Sequence, residues 1–181
     1  MKLTWNGIKE KKEWENAGIT LPGYDVQAAA EKEREKPRWA HFGIGNIFRI
    51  FIGGIADGML ENGDMDTALT CVETFDHEVV DKIYRPYDNL GVSVILHENG
   101  KRDYKVLGCF GEAVKAQSSD PDQWDRLKKI FASPSLQMVS FTITEKGYAL
   151  TDASGKYFSF VQADIESGPE KAGGAMGVVT A

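Results

Sequence analysis

With 181 residues, 42% of them hydrophobic, 27% charged and 10% aromatic, the chain holds enough apolar material for one well-cored domain and too little for two large ones. Its 21 basic and 27 acidic residues give a net charge of −6, which argues against nucleic acid or an anionic membrane surface as partner, since both need clustered Lys and Arg. No run approaches the roughly 18 to 20 uninterrupted apolar residues of a bilayer span: the longest, Ile44 to Leu60, is interrupted by Asn46, Arg49, Asp57 and four glycines.

Met1 to Lys12 is polar, carries four lysines and lacks the apolar core of a secretory leader, so a cytoplasmic location is expected. Ile8 to Ala17 and Asp25 to Lys36 read as two charged helices separated by Gly18-Ile-Thr-Leu-Pro-Gly23. Pro37 stops the second. With little to bury beyond Trp5, Trp14, Ile19, Leu21, Tyr24 and Val26, residues 1–37 read as an arm packed on the outside of a domain spanning 38–181.

From Arg38 onward strands and helices alternate. Arg38 to Phe42 is a short strand, Asn46 to Glu61 a helix with Ile47, Ile50, Phe51, Gly54, Ile55 and Leu60 on one face, and Asp66 to Val72 a second strand. A short helix over Asp76 to Tyr84 follows. Gly91 to Leu96 and Asp103 to Leu107 flank the Asn99-Gly100 turn signal and form a hairpin. Asp120 caps a helix that has Pro121 at its first position and turns Leu127, Ile130 and Phe131 inward. Leu136 to Thr144 is the nearly continuous apolar and β-branched run of a buried parallel strand. A second hairpin is expected from Tyr148 to Leu150 and Tyr157 to Val161, then a glycine-rich tail in which Pro169 opens a helix. The expected fold is an α/β, Rossmann-like open sheet, mainly parallel, with helices on both faces and two inserted hairpins.

Gly43-Ile44-Gly45-Asn46-Ile47 falls where the first strand hands over to a helix. A tight turn there presents free N–H groups and the positive end of the helix dipole to a pyrophosphate; Gly43 permits the turn and Gly45 lets the phosphate approach. Phe48 stands where the usual G-x-G-x-x-G fingerprint has its third glycine. Glu73, at the end of the second strand, is placed to bind the adenosine ribose diol of NAD, and a 2′-phosphate in the same place would meet its negative charge.

His41-Phe-Gly-Ile-Gly-Asn46, followed by Arg49, resembles the H-x-G-x-G-N-F-x-R signature of the polyol-specific long-chain dehydrogenases, the mannitol dehydrogenase and mannonate oxidoreductase family. Ser140-Phe-Thr-Ile-Thr-Glu-Lys-Gly-Tyr148 is similar to that family's S-x-T-x-T-E-x-G-Y segment. The likeness covers Trp39 to Tyr148. It implies NAD as cofactor, a small polyol or sugar acid as substrate, and cofactor contacts at Gly43, Ile44, Gly45, Asn46, Ile47, Arg49, Glu73, Thr142 and Thr144. Glu145, at the end of the fourth strand, where an open α/β sheet presents residues to its ligand crevice, is the ionisable residue placed nearest the nicotinamide, to relay protons or gate the pocket. The alternative is an ion pair or helix cap beside Lys146. The family usually has an aromatic-His-Arg-Ala-His run where this chain has Ile47-Phe48-Arg49-Ile50-Phe51, so two histidines are missing.

The resemblance also implies a helical second domain with a K-x4-N-x2-H base set. No His follows His97 and no Asn follows Asn99, so that set is not in these residues, and the chain reads as the N-terminal part of a longer enzyme. The alternative is a catalytically silent dinucleotide-binding module. His41, His77 and His97 show no ligand spacing, so no metal is expected. Asp57, Asp64 and Asp66 read as a solvated turn, the four tryptophans as anchors, and Cys71 and Cys109 as small buried hydrophobes.

Overall fold

The structure, a computed structural model, describes residues 1–181, Lys146 by its backbone alone. It opens with α1 (Lys11–Asn16), the two-residue strand β1 (Ile19–Thr20) and α2 (Val26–Glu35), where Asp25 caps the helix by accepting from the Ala28 N–H at 3.0 Å. β2 (Trp39–Phe42) leads through the glycine turn into a helix that begins with a π-helical turn at Phe48–Ile52 and continues as α3 (Gly53–Asn62). β3 (Leu69–Glu73) and a second π-helical turn, Val80–Tyr84, come next. The strands β4 (Gly91–Leu96), β5 (Arg102–Leu107) and β6 (Phe110–Lys115) precede α4 (Pro121–Phe131) and β7 (Met138–Phe141). Three helices follow, α5 (Glu145–Tyr148), α6 (Ser159–Ser167) and α7 (Ala175–Thr180).

The main sheet runs β6-β3-β2-β7, all parallel. Taking β2 as the first strand, this is order 3-2-1-4, the first four positions of the doubly wound 3-2-1-4-5-6 sheet. Helices cover both faces. Ile44, Phe48, Ala56 and Leu60 pack on Leu69 and Cys71 on one side, and Trp124, Leu127, Ile130 and Val178 pack on Ala40, Phe42, Val72 and Val114 on the other. Covered on both faces, β3 is buried along its whole length, Thr70 and Glu73 included. Both cysteines are free and buried, as expected. Asp120 caps α4 through the Gln123 N–H at 3.4 Å. Asp120→Ala is expected to cost about 1 kcal/mol, read as a shift of the urea midpoint at constant slope.

Several expectations need correction. Residues 1–37 are not superficial: β1 pairs parallel with β5, and Trp14, Val26, Ala29, Ala30 and Glu33 are buried. Beyond Val26, the buried stripe on α2 consists of two alanines and a glutamate, residue types that do not mark an inward face, and the small alanines let α2 lie against β6. The hairpin β4–β5 exists, but with β1 it forms a separate three-stranded sheet instead of inserting into the parallel one. The parallel sheet takes β6, which was not expected because Gly111 and Glu112 interrupt its apolar run. Tyr148 to Val161 yields a single bridge, Thr151 to Tyr157, and the residues after Phe158 turn into α6. β7 lies at the sheet edge with Met138 exposed, and Phe131 of α4 is exposed as well.

The helix after the glycine turn buries a different face from the one its 3.6-residue period indicates. Phe48, Gly53, Ala56, Asp57 and Leu60 point inward, while Ile47, Ile50, Phe51 and Ile55 are exposed. The first step, 48 to 53, is the five-residue spacing of a π turn, and it rotates everything downstream by one position. Asp57 is thereby fully buried, correcting its reading as a solvated turn. It accepts from the Tyr24 hydroxyl at 2.5 Å and the Gly108 N–H at 3.0 Å and pairs with Lys105 at 2.7 Å, so the buried charge is matched.

Candidate functional site

The C-terminal ends of β2, β3 and β7 meet at one place, and the glycine turn lies over it. Gly43 takes φ +86, its N–H donates to the Val72 carbonyl at 3.0 Å, and a Cβ on it would stand 2.6 Å from the Thr142 carbonyl oxygen. Only glycine fits there without moving backbone. Gly45 differs: a Cβ on it would meet nothing within 4 Å, so the turn faces open space. The Gly45 carbonyl accepts from the Arg49 N–H at 3.1 Å, and the N–H groups of Gly45, Asn46 and Ile47 have no acceptor among the described residues. They are the unpaired donors of a helix start, pointing where an anion could lie.

Glu73 is nearly buried at the end of β3. Its Oε1 accepts from the N–H groups of Thr74 at 3.0 Å, Phe75 at 3.0 Å and Asp76 at 3.4 Å, and its Oε2 from the Ile44 N–H at 3.3 Å. One carboxylate thus joins the strand end to the glycine turn and keeps acceptor capacity on Oε2. The Ile44 carbonyl takes two donors from behind, Arg49 Nη1 and the buried Tyr84 hydroxyl, each at 2.9 Å. Arg49 also bonds Asn46 Oδ1 and lies 5.9 Å from the Tyr84 ring, so it braces the turn. Tyr84 was missed at the sequence level, because an aromatic residue ending a short helix reads as ordinary core.

His41 is fully buried between the turn and β7, opposite Ser140 in the strand register. Its Nδ1 lies 2.7 Å from Ser140 Oγ and its Nε2 2.9 Å from Thr142 Oγ1. Thr142 Oγ1 donates to the Gly43 carbonyl at 2.7 Å, and Trp39 Nε1 donates to Ser140 Oγ at 2.6 Å. The two motifs, a hundred residues apart, are therefore one hydrogen-bonded unit. Phe48 stacks on the imidazole at 4.2 Å and 17°. The residue in the third-glycine position is a ring held against β2, and the π turn makes room for it. Burial pushes the His41 pKa down to about 4, so the ring is neutral at ordinary pH.

Gly43, Ile44, Asn46, Arg49, Glu73 and Thr142 are thus joined by hydrogen bonds, with Gly45 and Ile47 in the same turn. Thr144 and Glu145 stand apart as exposed residues at the start of α5, with no side-chain hydrogen bond to the turn. Among the described residues no group of three or more His, Cys, Asp or Glu is arranged to hold a metal. No helix among the described residues is long and apolar enough to cross a membrane.

No family profile matches the chain. Among curated proteins it is 41% identical over all 181 residues to the D-mannonate oxidoreductase of Thermotoga maritima, taking up 33% of that protein. Over 169 residues it is 28% identical to the polyol:NADP oxidoreductase of Gluconobacter oxydans, covering 90% of this chain and 32% of that one. The chain spans about a third of the length of the curated relatives it matches. A crystal structure of substrate-free D-sorbitol dehydrogenase superimposes with TM-score 0.72 at 28% identity, over 90% of this chain and 32% of that one. Over nearly its whole length the chain is thus similar to about a third of a D-mannonate oxidoreductase and of polyol and sorbitol dehydrogenases. In fold, the chain also resembles the Pseudomonas fluorescens mannitol 2-dehydrogenase, solved as a ternary complex with NAD and D-mannitol, with TM-score 0.76 at 22% identity, over 99% of this chain and 34% of the other. The parallel sheet described above is thus the Rossmann-type sheet of these dehydrogenases.

Proposed function

We propose that the chain is the NAD-binding domain, residues 38–181 with residues 1–37 packed against it, of an oxidoreductase that moves hydride between the nicotinamide cofactor and a polyol or sugar acid of the mannitol/fructose or mannonate/fructuronate type. The observation that carries this reading is the turn from Gly43 to Ile47, open at Gly45, lined with unpaired N–H groups and flanked by Glu73 at the next strand end. That arrangement fits a dinucleotide. The pyrophosphate would take the N–H groups of Gly45, Asn46 and Ile47, and Glu73 Oε2 the adenosine ribose, while Arg49 and Thr142 hold the turn in shape. Thr144 and Glu145 follow the end of β7, where an open α/β sheet presents residues to its ligand crevice, and they would face the nicotinamide. When bound, the nicotinamide supplies the hydride acceptor and donor.

The general base for the hydroxyl proton lies outside these 181 residues, since none follow the K-x4-N-x2-H pattern. The chain alone is therefore expected to bind NAD weakly and to turn over neither mannitol nor mannonate, because loss of a base alone removes roughly 10²- to 10⁴-fold in rate. Titration of the chain with NAD by fluorescence quenching tests the reading, and absence of saturable binding up to millimolar NAD would reject it. A cytoplasmic location suits this cofactor and the two free buried cysteines.

Glu73 should also set the cofactor preference. A 2′-phosphate beside its carboxylate would bring two anions together, and residues 74–78 include no Arg or Lys to receive it. NAD should bind roughly 5- to 150-fold better than NADP, the range of a strong site coupling. Glu73→Gln keeps the side-chain length and removes the charge, so the ratio should shrink. Equal affinities for the two cofactors in the wild type would show that Glu73 only caps the strand end.

A further inference from the structure

We propose that His41 is a positioning residue for the dinucleotide turn, acting as a neutral Nε2–H tautomer inside a one-way hydrogen-bond chain that ends on the Gly43 carbonyl. The proposal rests on the reading of that turn as the pyrophosphate site. Donor and acceptor chemistry fixes the direction of every link. Gly43 C=O can only accept, so the Thr142 hydroxyl proton is committed to it at 2.7 Å. Thr142 Oγ1 must then accept from His41, and the proton sits on Nε2. With Nε2 protonated, a neutral ring leaves Nδ1 as acceptor for the Ser140 hydroxyl at 2.7 Å. Ser140 Oγ in turn accepts from the Trp39 indole N–H, which can only donate.

The chain runs Trp39 to Ser140 to His41 to Thr142 to Gly43, with no proton to spare. None of its members is acidic, and burial outweighs the pull of the Gly43 carbonyl toward an imidazolium, so the His41 pKa lies at about 4 and the ring stays neutral. His41 also grips the other side of the turn through the stacked ring of Phe48, in the first turn of the helix whose N–H groups would meet the phosphates. A buried histidine that no ligand can touch therefore sets the angle between strand and helix start. Ligand affinity should depend on its tautomer.

Thr142→Val keeps the shape, removes the donor and leaves the Gly43 carbonyl unpaired. Ser140→Ala lies a link further from the turn, where a direct ligand contact cannot account for an effect, and leaves Nδ1 without its donor and the ring held from one side only. NAD affinity should fall about tenfold in Thr142→Val and severalfold in Ser140→Ala, with Thr142→Ser restoring it, while far-UV circular dichroism reports a retained fold. In ¹⁵N-histidine NMR of the wild type, His41 should show a proton on Nε2 and a bare Nδ1. Wild-type NAD affinity in both Thr142→Val and Ser140→Ala, or a proton on Nδ1, would overturn the positioning role while leaving the dinucleotide reading intact. No NAD binding by the wild-type chain would overturn both.

Discussion

Gly43→Ala should unfold the chain at markedly lower temperature and abolish NAD binding, whereas Gly45→Ala should leave stability unchanged and still weaken NAD about tenfold or more. At Gly43 the left-handed φ of +86 costs an alanine about 1–2 kcal/mol, and its Cβ would sit 2.6 Å from the Thr142 carbonyl oxygen, a backbone atom that cannot swing away. Strain and clash together should cost about 3 kcal/mol or more, a fall in Tm of roughly 10 °C for a chain of this size. At Gly45 there is no positive φ and no neighbour within 4 Å, so a methyl group costs the fold about 0.5 kcal/mol at most. Its only effect is to occupy the space through which a phosphate reaches the N–H groups of the turn. Paired thermal melts and NAD titrations on the two variants separate folding from binding, and a Gly45→Ala variant with wild-type affinity would remove the phosphate from this turn.

The pH profile of stability should be flat from about pH 4.5 to 6.5 and then fall by about 2 kcal/mol to pH 8, because two buried groups oppose each other. Glu33 on α2 is fully buried; its Oε1 accepts from the Thr70 hydroxyl, while its Oε2 is unpaired. Burial and then the charge of Glu112 push its pKa up to about 8, although Arg126 and Arg34 pull the other way. The native state thus holds a proton that the unfolded chain, with a carboxyl near 4.5, releases, so stability declines as pH rises from about 4.5 to 8. His41 has the opposite sense: its native pKa of about 4 lies below the ordinary 6.5, so stability is lost as pH falls from about 6.5 to 4. At about 1.4 kcal/mol per unit for each group, the slopes cancel where the windows overlap. Glu33→Gln removes one of them. In that variant stability should climb by about 3 kcal/mol between pH 4 and 6.5 and stay level to pH 8, as urea unfolding across the range would report. A variant profile that still declines above pH 6.5 would place the titration elsewhere.

The local features of this chain were legible from sequence wherever neighbouring residues alone decide conformation. Gly43 and Gly45 at a strand-to-helix junction, Asp120-Pro121 opening α4, the Asn99-Gly100 turn, and the strands now paired as β2 and β7 follow from turn chemistry, capping and runs of apolar residues, all acting over a few positions. The tertiary structure alone decided which charged and polar groups are inside. Asp57 reads as solvent-exposed until Lys105, Tyr24 and Gly108 converge on it, and Glu33 until α2 lies against β6, where Gly111 leaves room for its carboxylate. Arg126, from α4, pairs there with Glu112 at 2.8 Å. Such burial is tolerable only because partners many residues away match the charge or the proton, and no window of sequence contains both sides of the match. The inward face of the helix after Gly45 was misread for a related reason. Periodicity assumes 3.6 residues per turn, but the stack of Phe48 on His41 and the approach of Phe110 to Gly53 favour a wider first turn, and both contacts come from other strands. His41, Ser140 and Thr142 stood in the two motifs from the start; that they form one chain became visible only when β2 and β7 were placed side by side.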